Sequence, residues 1–185
     1  MFSGERWLWS CSLANAPNFL EGGNVMKRFW LVPLVVIPFL SAAGQKSTPA
    51  GLEHWSAASL KQLGQTLSQQ AATDPHHLAV KQLSDFPNEL FLLGHREADG
   101  QVEWHETQAD VFVVQSGSAT LLVGGTMVNG GTVAPHEKRN GSIQGGVRKK
   151  LSAGDIVRIP ARVPHQLLLE GSHEFTYFVI KVKGY

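Results

Sequence analysis

The stretch that decides the fold is residues 103–117, which read EWHETQADVFVVQSG. Alternate residues of a strand share a face, so Glu103 and His105 are predicted to point the same way. Asp110 follows His105 by an odd number of residues, so an uninterrupted strand would turn it to the opposite face. The segment between them is therefore predicted to contain a bulge or bend, a feature that recurs beside active sites.

The same alternating pattern continues through the C-terminal half of the chain. Strands are predicted in the segments ELFLLGHR (89–96), VEWHE (102–106), DVFVVQ (110–115), ATLLVGG (119–125), GDIVRIP (154–160), VPHQLLLE (163–170) and FTYFVIKV (175–182). An Asp99-Gly100 turn indicates a hairpin between the first two, and residues 116–118 indicate a second tight turn. Residues 125–150 are predicted to be a long functional loop or flap. Seven strands with no helix between them predict an all-β protein, an antiparallel sandwich or barrel.

A second stretch, residues 154–165, reads GDIVRIPARVPH. Together the two stretches resemble the paired motifs of the cupin superfamily. The first cupin motif has a histidine where this chain has Glu103, and the second has a glycine where it has Arg162. The resemblance covers roughly residues 88–183. It implies an antiparallel jelly-roll (cupin) barrel, here with a short N-terminal helical extension.

The resemblance also implies a metal site, because in cupins the positions of Glu103, His105, Asp110 and His165 point into the barrel and hold a divalent metal. Two histidines with carboxylates suit iron(II), and manganese, zinc or nickel would accept the same ligands. Such a site would act on a small organic molecule, in a dioxygenase, isomerase or decarboxylase reaction, with Glu103 as fourth ligand or general base.

Two alternatives stay open at this point. The four residues could form a metal-free polar cluster, with Glu103 paired across the predicted hairpin to Arg96. The barrel could also be a non-catalytic module that binds a small ligand, with structural metal or none. The hairpin register turns His95 away from His105. Outward-facing Val111 and Val113 suggest a homodimer.

Residues 44–87 are predicted to form a leader with two short helices that pack outside the barrel. Ser56 can cap the first, whose apolar residues recur at spacings of three and four. Asp74 and Pro75 carry the residue types that start a second helix.

Residues 26–43 have the layout of a secretory signal, with two cations, an apolar run of about 12 residues and small residues ending at Ala43. The run is shorter than the roughly 20 residues that span a bilayer. The signal predicts export to the periplasm or the medium, with no stable membrane insertion after cleavage; the alternative is that the segment is retained as an N-terminal anchor. Residues 1–25 are predicted to be an upstream mis-start or a disordered piece, and they contain the single cysteine, Cys11.

Charge argues against a polyanionic partner. Residues 1–43 hold three of the 16 Lys and Arg and two of the 15 Asp and Glu, so the exported domain has 13 of each. A neutral domain offers no basic face for nucleic acid.

Overall fold

The structure, a computed structural model, describes residues 48–185. The predicted signal over residues 26–43 and the segment 1–25 lie outside the described residues. One helix and twelve strands follow in chain order: α1 (Ala57–Ala71), β1 (Leu78–Asp85), β2 (Glu89–Arg96), β3 (Glu103–His105), β4 (Gln108–Val123), β5 (Thr126–Val128), β6 (Gly131–Ala134), β7 (Glu137–Arg139), β8 (Ser142–Gln144), β9 (Val147–Ser152), β10 (Ile156–Ile159), β11 (His165–Leu168) and β12 (Phe175–Lys183).

The sixteen-residue strand β4 belongs to both sides of a curled antiparallel sheet. Its first half pairs with β10 and β12, and β12 continues through β2 to β1. Its second half pairs with β9 and β11, and β11 continues through β3 and β7 to β6. Strands β5 and β8 form a separate pair. The predicted all-β jelly-roll barrel is confirmed.

Strand β4 bends at Gly117, so that its two halves pair with strands on the two sides of the sheet. Gly117 has φ +75, and a Cβ there would lie 2.1 Å from the backbone oxygen of Glu174. The register with β12 also shifts between Thr176 and Tyr177. The tight turn predicted over residues 116–118 is therefore wrong. Glycine supplies a bend within a continuous strand.

The core lies between the two sides of the barrel. Asp110, Phe112 and Val114 are only 3%, 4% and 2% exposed, which confirms that they share the inner face. The apolar part of this inner cluster consists of Phe112, Val114, Ala119, Leu121, Leu151, Ile159, Leu167, Leu169, Phe175, Tyr177 and Val179. The cluster surrounds the inner end of the first motif and so fixes where Asp110 points.

Helix α1 packs on the outside, as predicted. The Ser56 side chain accepts a hydrogen bond from the backbone N–H of Ser59 at 3.1 Å, which confirms it as the N-cap. The outer cluster between helix and sheet contains Leu67, Ala71, Ala79, Leu93 and Phe178. Val113 also packs against the outer cluster. One of the two residues predicted to form a homodimer face is therefore covered within the chain itself. The homodimer itself stays a prediction. Within residues 48–185, no helix has the length and apolarity that crossing a bilayer requires.

The second predicted helix is wrong, because residues 78–85 form β1. The Asp74 carboxylate accepts a hydrogen bond from the backbone N–H of His76 at 2.8 Å, which makes a turn instead of a helix start. Leu78 and Val80 then follow the strand period on the face that lines the cavity, with Val80 still 52% exposed, while Ala79 faces the outer cluster. The barrel therefore begins at Leu78, ten residues before the predicted boundary.

The hairpin around Asp99-Gly100 is also wrong. Strand β2 pairs with β1 and β12, whereas β3 pairs with β7 and β11. The connecting residues bind the far end of β11 instead. The Asp99 carboxylate accepts from the N–H of Leu169, and the N–H of Gly100 donates to Leu167, each at 2.7 Å.

Residues 125–150 do not form the long loop or flap that was predicted. They contain the short strands β5 to β8 and the start of β9. Strand β7 lies beside β3, so this segment contributes side chains directly to the neighbourhood of the first motif.

Candidate functional site

The structure brings the four predicted ligands to one place. The His105 Nε2 atom lies 3.4 Å from the Asp110 carboxylate and 3.6 Å from that of Glu103. The His165 Nε2 atom lies 3.6 Å from the Asp110 carboxylate. Strand β3 ends at His105 and β4 begins at Gln108. The predicted break between His105 and Asp110 is therefore present, and it turns both side chains inward.

Arg162 ties the two motifs together through its backbone. Its N–H donates to the His105 carbonyl oxygen at 2.7 Å. Arg162 has φ +63, in the left-handed region that favours glycine, which is the residue of the cupin motif at this position. The backbone at Arg162 therefore keeps the left-handed conformation of the motif, although arginine adopts that conformation less readily than glycine.

His165 is oriented as a metal ligand would be. Its Nδ1 lies 3.1 Å from the carbonyl oxygen of Val163, so Nδ1 carries a proton, and the neutral form of the ring has its lone pair on Nε2. That Nε2 atom is buried, and no residue in 48–185 gives it a hydrogen bond. Ligand atoms of Glu103, His105 and His165 lie within 4.8 Å of one another, close enough to surround one cation.

Lys181 is the residue that the sequence reasoning missed. Its ammonium group lies 3.0 and 3.1 Å from the two Asp110 carboxylate oxygens and 3.0 Å from His105 Nε2. Strand β12 carries the signal that could have revealed it, because Phe175, Tyr177 and Val179 alternate into the core and Lys181 is the next residue in that series.

Strand β7 supplies further partners. In the β3–β7 register, Glu103 lies opposite Arg139 and His105 opposite Glu137. An Arg139 nitrogen lies 3.2 Å from the Glu103 carboxylate, and the Glu137 carboxylate lies 3.3 Å from His105 Nδ1. The cross-strand pair predicted between Arg96 and Glu103 is wrong, because the two strands are not neighbours and Arg139 takes that role.

These contacts shift the acid-base behaviour of the site. Burial raises the pKa of Glu103, but the His105 hydrogen bond and the Arg139 charge outweigh it and lower the pKa to about 2. Burial also opposes ionisation of Asp110, yet the His105 hydrogen bond, the His165 ring 3.6 Å away and the Lys181 charge hold its pKa well below the usual range. For His105, burial lowers the pKa, while hydrogen bonds to Asp110 and Glu103 raise it to about 9. Both carboxylates are therefore ionised at neutral pH.

A cavity of about 160 Å³ lies beside the cluster, inside the barrel. Glu103, Asp110, His165 and Lys181 line one part of it. Its apolar walls include Leu78, Val80, Leu92, Phe112, Leu167 and Val179. His95 lies elsewhere, bonded at 2.8 Å to the Thr176 hydroxyl, as expected for a residue facing away from His105.

No protein-family model and no curated protein matches this sequence. Solved structures of similar fold include a protein from Thermus thermophilus, with 17% identity over 60% of this chain and 87% of that chain and a TM-score of 0.44. A conserved protein with a double-stranded β-helix domain from Klebsiella pneumoniae has 16% identity over 58% and 77%, and a TM-score of 0.42. A cupin 2 conserved barrel domain protein from Salinispora arenicola has 17% identity over 58% and 77%, and a TM-score of 0.40. With its two motifs meeting at one site, the curled antiparallel sheet of residues 78–183 has the strand arrangement of a double-stranded β-helix.

Proposed function

We propose that this protein binds a divalent transition metal through Glu103, His105 and His165, and acts on a small organic molecule in the adjoining cavity. The observation that carries the proposal is the buried Nε2 of His165, which faces the other ligands with its lone pair and has no hydrogen-bond partner among the described residues. A buried polar atom without a partner costs about 1–3 kcal/mol, which a metal bond would recover.

The ligand chemistry is mixed, with imidazole and carboxylate groups. Iron(II), manganese, zinc and nickel all accept such a set. Asp110 can join as a further ligand when the Lys181 ammonium leaves it, since both cations need the same carboxylate oxygens. The Glu137 carboxylate lies 3.3 Å from His105 Nδ1 without forming a hydrogen bond, at the place where carboxylates commonly orient metal-bound histidines.

A metal at this site would supply Lewis acidity toward a bound oxygen atom of the ligand. The remaining roles belong to the protein's own residues. The apolar walls exclude water from the ligand, Lys181 donates hydrogen bonds beside it, and Glu103, ionised at neutral pH, serves as ligand or proton acceptor. Oxidation, isomerisation and decarboxylation are the reactions we propose for such a site.

A specific contact favours a second candidate, a binding module without metal. The Lys181 ammonium already neutralises Asp110, whose carboxylate oxygens lie 3.0 and 3.1 Å from it, in the way that a metal ion would. In that case the barrel captures its ligand through the same cavity and performs no reaction. Saturable binding without turnover would identify this candidate.

Metal analysis of the full chain, purified without chelators, tests the first candidate. We expect about one divalent ion per chain, and its loss in the His105→Ala, His165→Ala double variant. The matched control is the His76→Ala, His173→Ala double variant, because both histidines are exposed and lie outside the cluster. Equal trace metal in all three proteins would contradict metal binding.

We also propose that the protein is exported, with residues 26–43 as the cleaved signal. The support is the sequence pattern alone. Cell fractionation followed by N-terminal sequencing tests it, and an uncleaved cytoplasmic product would overturn it.

A further inference from the structure

We propose that the ligand of this barrel is a small carboxylic acid whose carboxylate binds the buried guanidinium of Arg96. The inference deepens the proposed function, because it names the substrate class of the same cavity. It rests on several observations about Arg96, a cation that takes no part in the proposed metal site.

Arg96 is a buried cation without a partner of opposite charge. It is only 4% exposed, and among residues 48–185 no carboxylate oxygen lies within 4.0 Å of its guanidinium. Its contacts are long, 3.4 Å to the Ala98 carbonyl and 3.3 Å to the Tyr177 hydroxyl, and its Nε has no hydrogen bond. Arginine stays charged in proteins, and a buried charge is costly unless it is paired. An anion is therefore the missing partner.

The acidic residues near Arg96 are engaged elsewhere. Glu97 lies within 3.4 Å of the Nε2 of His95 and accepts from the Ser68 hydroxyl. Asp99 accepts from a backbone N–H of the β11 end. Glu103 lies within 3.6 Å of Arg139 and His105. The described residues thus place no counterion within 4.0 Å of the Arg96 guanidinium, and Arg96 lines both the barrel cavity and a second cavity beside Asp99 and Gly100.

Two glycines keep room for this arrangement. A Cβ on Gly100 would lie 2.8 Å from an Arg96 nitrogen, and a Cβ on Gly94 would lie 3.1 Å from the Tyr177 ring. Because Leu92, Gly94 and Arg96 alternate along β2, all three face the cavity. The guanidinium and the hydroxyl are therefore held at the wall of the same space that the ligand would enter.

The cavity relates Arg96 to the metal-ligand cluster. Arg96, Asp110, His165 and Lys181 all line it, and the wall between them is largely apolar. A molecule that fits has a carboxylate at Arg96, a short hydrocarbon body along the wall, and a second polar group at the cluster. A planar guanidinium binds a carboxylate through two parallel hydrogen bonds, which favours this anion over a spherical ion.

Calorimetric titration of the full chain with straight-chain carboxylates from acetate to hexanoate, and with the corresponding primary amides, tests the inference. We expect one carboxylate to bind at least about tenfold more tightly than its amide, since the amide lacks the charge. Each titration is run on chelator-treated protein and on protein loaded with manganese. The preference should be present in both, which separates this inference from the presence of a metal.

Three variants complete the test. Arg96→Met should lose the carboxylate preference, Arg96→Lys should keep a weakened one, and Arg158→Gln, which changes an exposed arginine on β10, should match the unmodified protein. Circular dichroism establishes that each variant is folded. If Arg96→Met does not fold, the weakened preference in Arg96→Lys tests the inference by itself. Equal binding of acids and amides would overturn the inference, as would tighter binding of inorganic phosphate than of any carboxylate, or an unchanged preference in Arg96→Met. Loss of metal binding with the preference intact would overturn only the proposed metal site.

Discussion

At the residue scale, the cluster shows what a short motif can and cannot reveal. Glu103, His105, Asp110 and His165 were predicted from the resemblance to the cupin motifs, while the strand period gave only the shared direction of Glu103 and His105. Lys181 was not, because its role depends on β12 lying beside the first half of β4, a pairing of segments about seventy residues apart. Arg139 was hidden in the same way by the β3–β7 pairing.

Replacing Lys181 with methionine should tighten metal binding. Lys181→Met removes a cation that contacts both Asp110 and His105 Nε2, so an incoming ion no longer has to displace it. At an effective dielectric constant near 20, two like unit charges 4 Å apart repel by about 4 kcal/mol. We therefore expect the affinity for manganese or zinc, measured by calorimetric titration, to rise at least about tenfold.

The same variant should lose stability in the presence of a chelator, because it leaves the buried Asp110 carboxylate without its main cation. Lys183→Met is the matched control, since Lys183 lies two residues further along β12 and pairs with Asp85 at the surface. Unchanged or weaker metal affinity in Lys181→Met would show that Lys181 does not compete for the site.

At the scale of elements, the strand period predicted most of the barrel but not its corners. The segments that became β10, β11 and β12 were identified because each is a short apolar run bounded by short turns. Residues 78–85 were mistaken for a helix, since three apolar residues in a short segment fit both periods. Ser116-Gly117-Ser118 has the composition of a tight turn, and only the pairing of β4 with β12 shows that the strand continues through it.

Substituting the corner glycine tests this interpretation. Gly117→Ala should destabilise the protein by about 2–4 kcal/mol, because it combines a positive φ with a backbone atom 2.1 Å from the new Cβ. Denaturant unfolding measures the change. Gly154→Ala is the control, since Gly154 has φ +93 but no atom within 4 Å of a new Cβ, and it should cost about 1 kcal/mol. Equal losses in the two variants would mean that the corner is not sterically required.

At the scale of the whole molecule, the sequence predicted the architecture because both motifs lie in an all-β context. The assignment of neighbours beyond the motifs was not predictable, since a single sequence does not say which strands pair. The cavity and the buried Arg96 are consequences of that pairing. They depend on β1, β2 and β12 standing side by side.

The charges of the assembled barrel predict how stability depends on pH in chelator-treated protein. The pKa of His105 is raised from 6.5 to about 9. Its contribution to the free energy of unfolding is therefore complete below about pH 6.5 and is lost as pH rises through 9. The pKa of Glu103 is lowered to about 2, so its contribution is present above about pH 4.5 and is lost as pH falls toward 2. We expect the free energy of unfolding to peak between these limits.

Denaturant unfolding at a series of pH values checks this expectation, with His105→Gln as the comparison. Between pH 6.5 and 9 the unmodified protein should lose on the order of 1–3 kcal/mol that the variant does not lose. Parallel curves for the two proteins would show that His105 contributes nothing to the alkaline slope.

The Lys181 ammonium has a consequence for how the protein matures. Many small metalloproteins cannot fold until their ion arrives, because their ligands repel one another when empty. Here an internal counterion holds the ligands together from the start. On the proposed metal binding, the polypeptide would complete its fold first and take up the ion afterwards, by exchanging one positive charge for another.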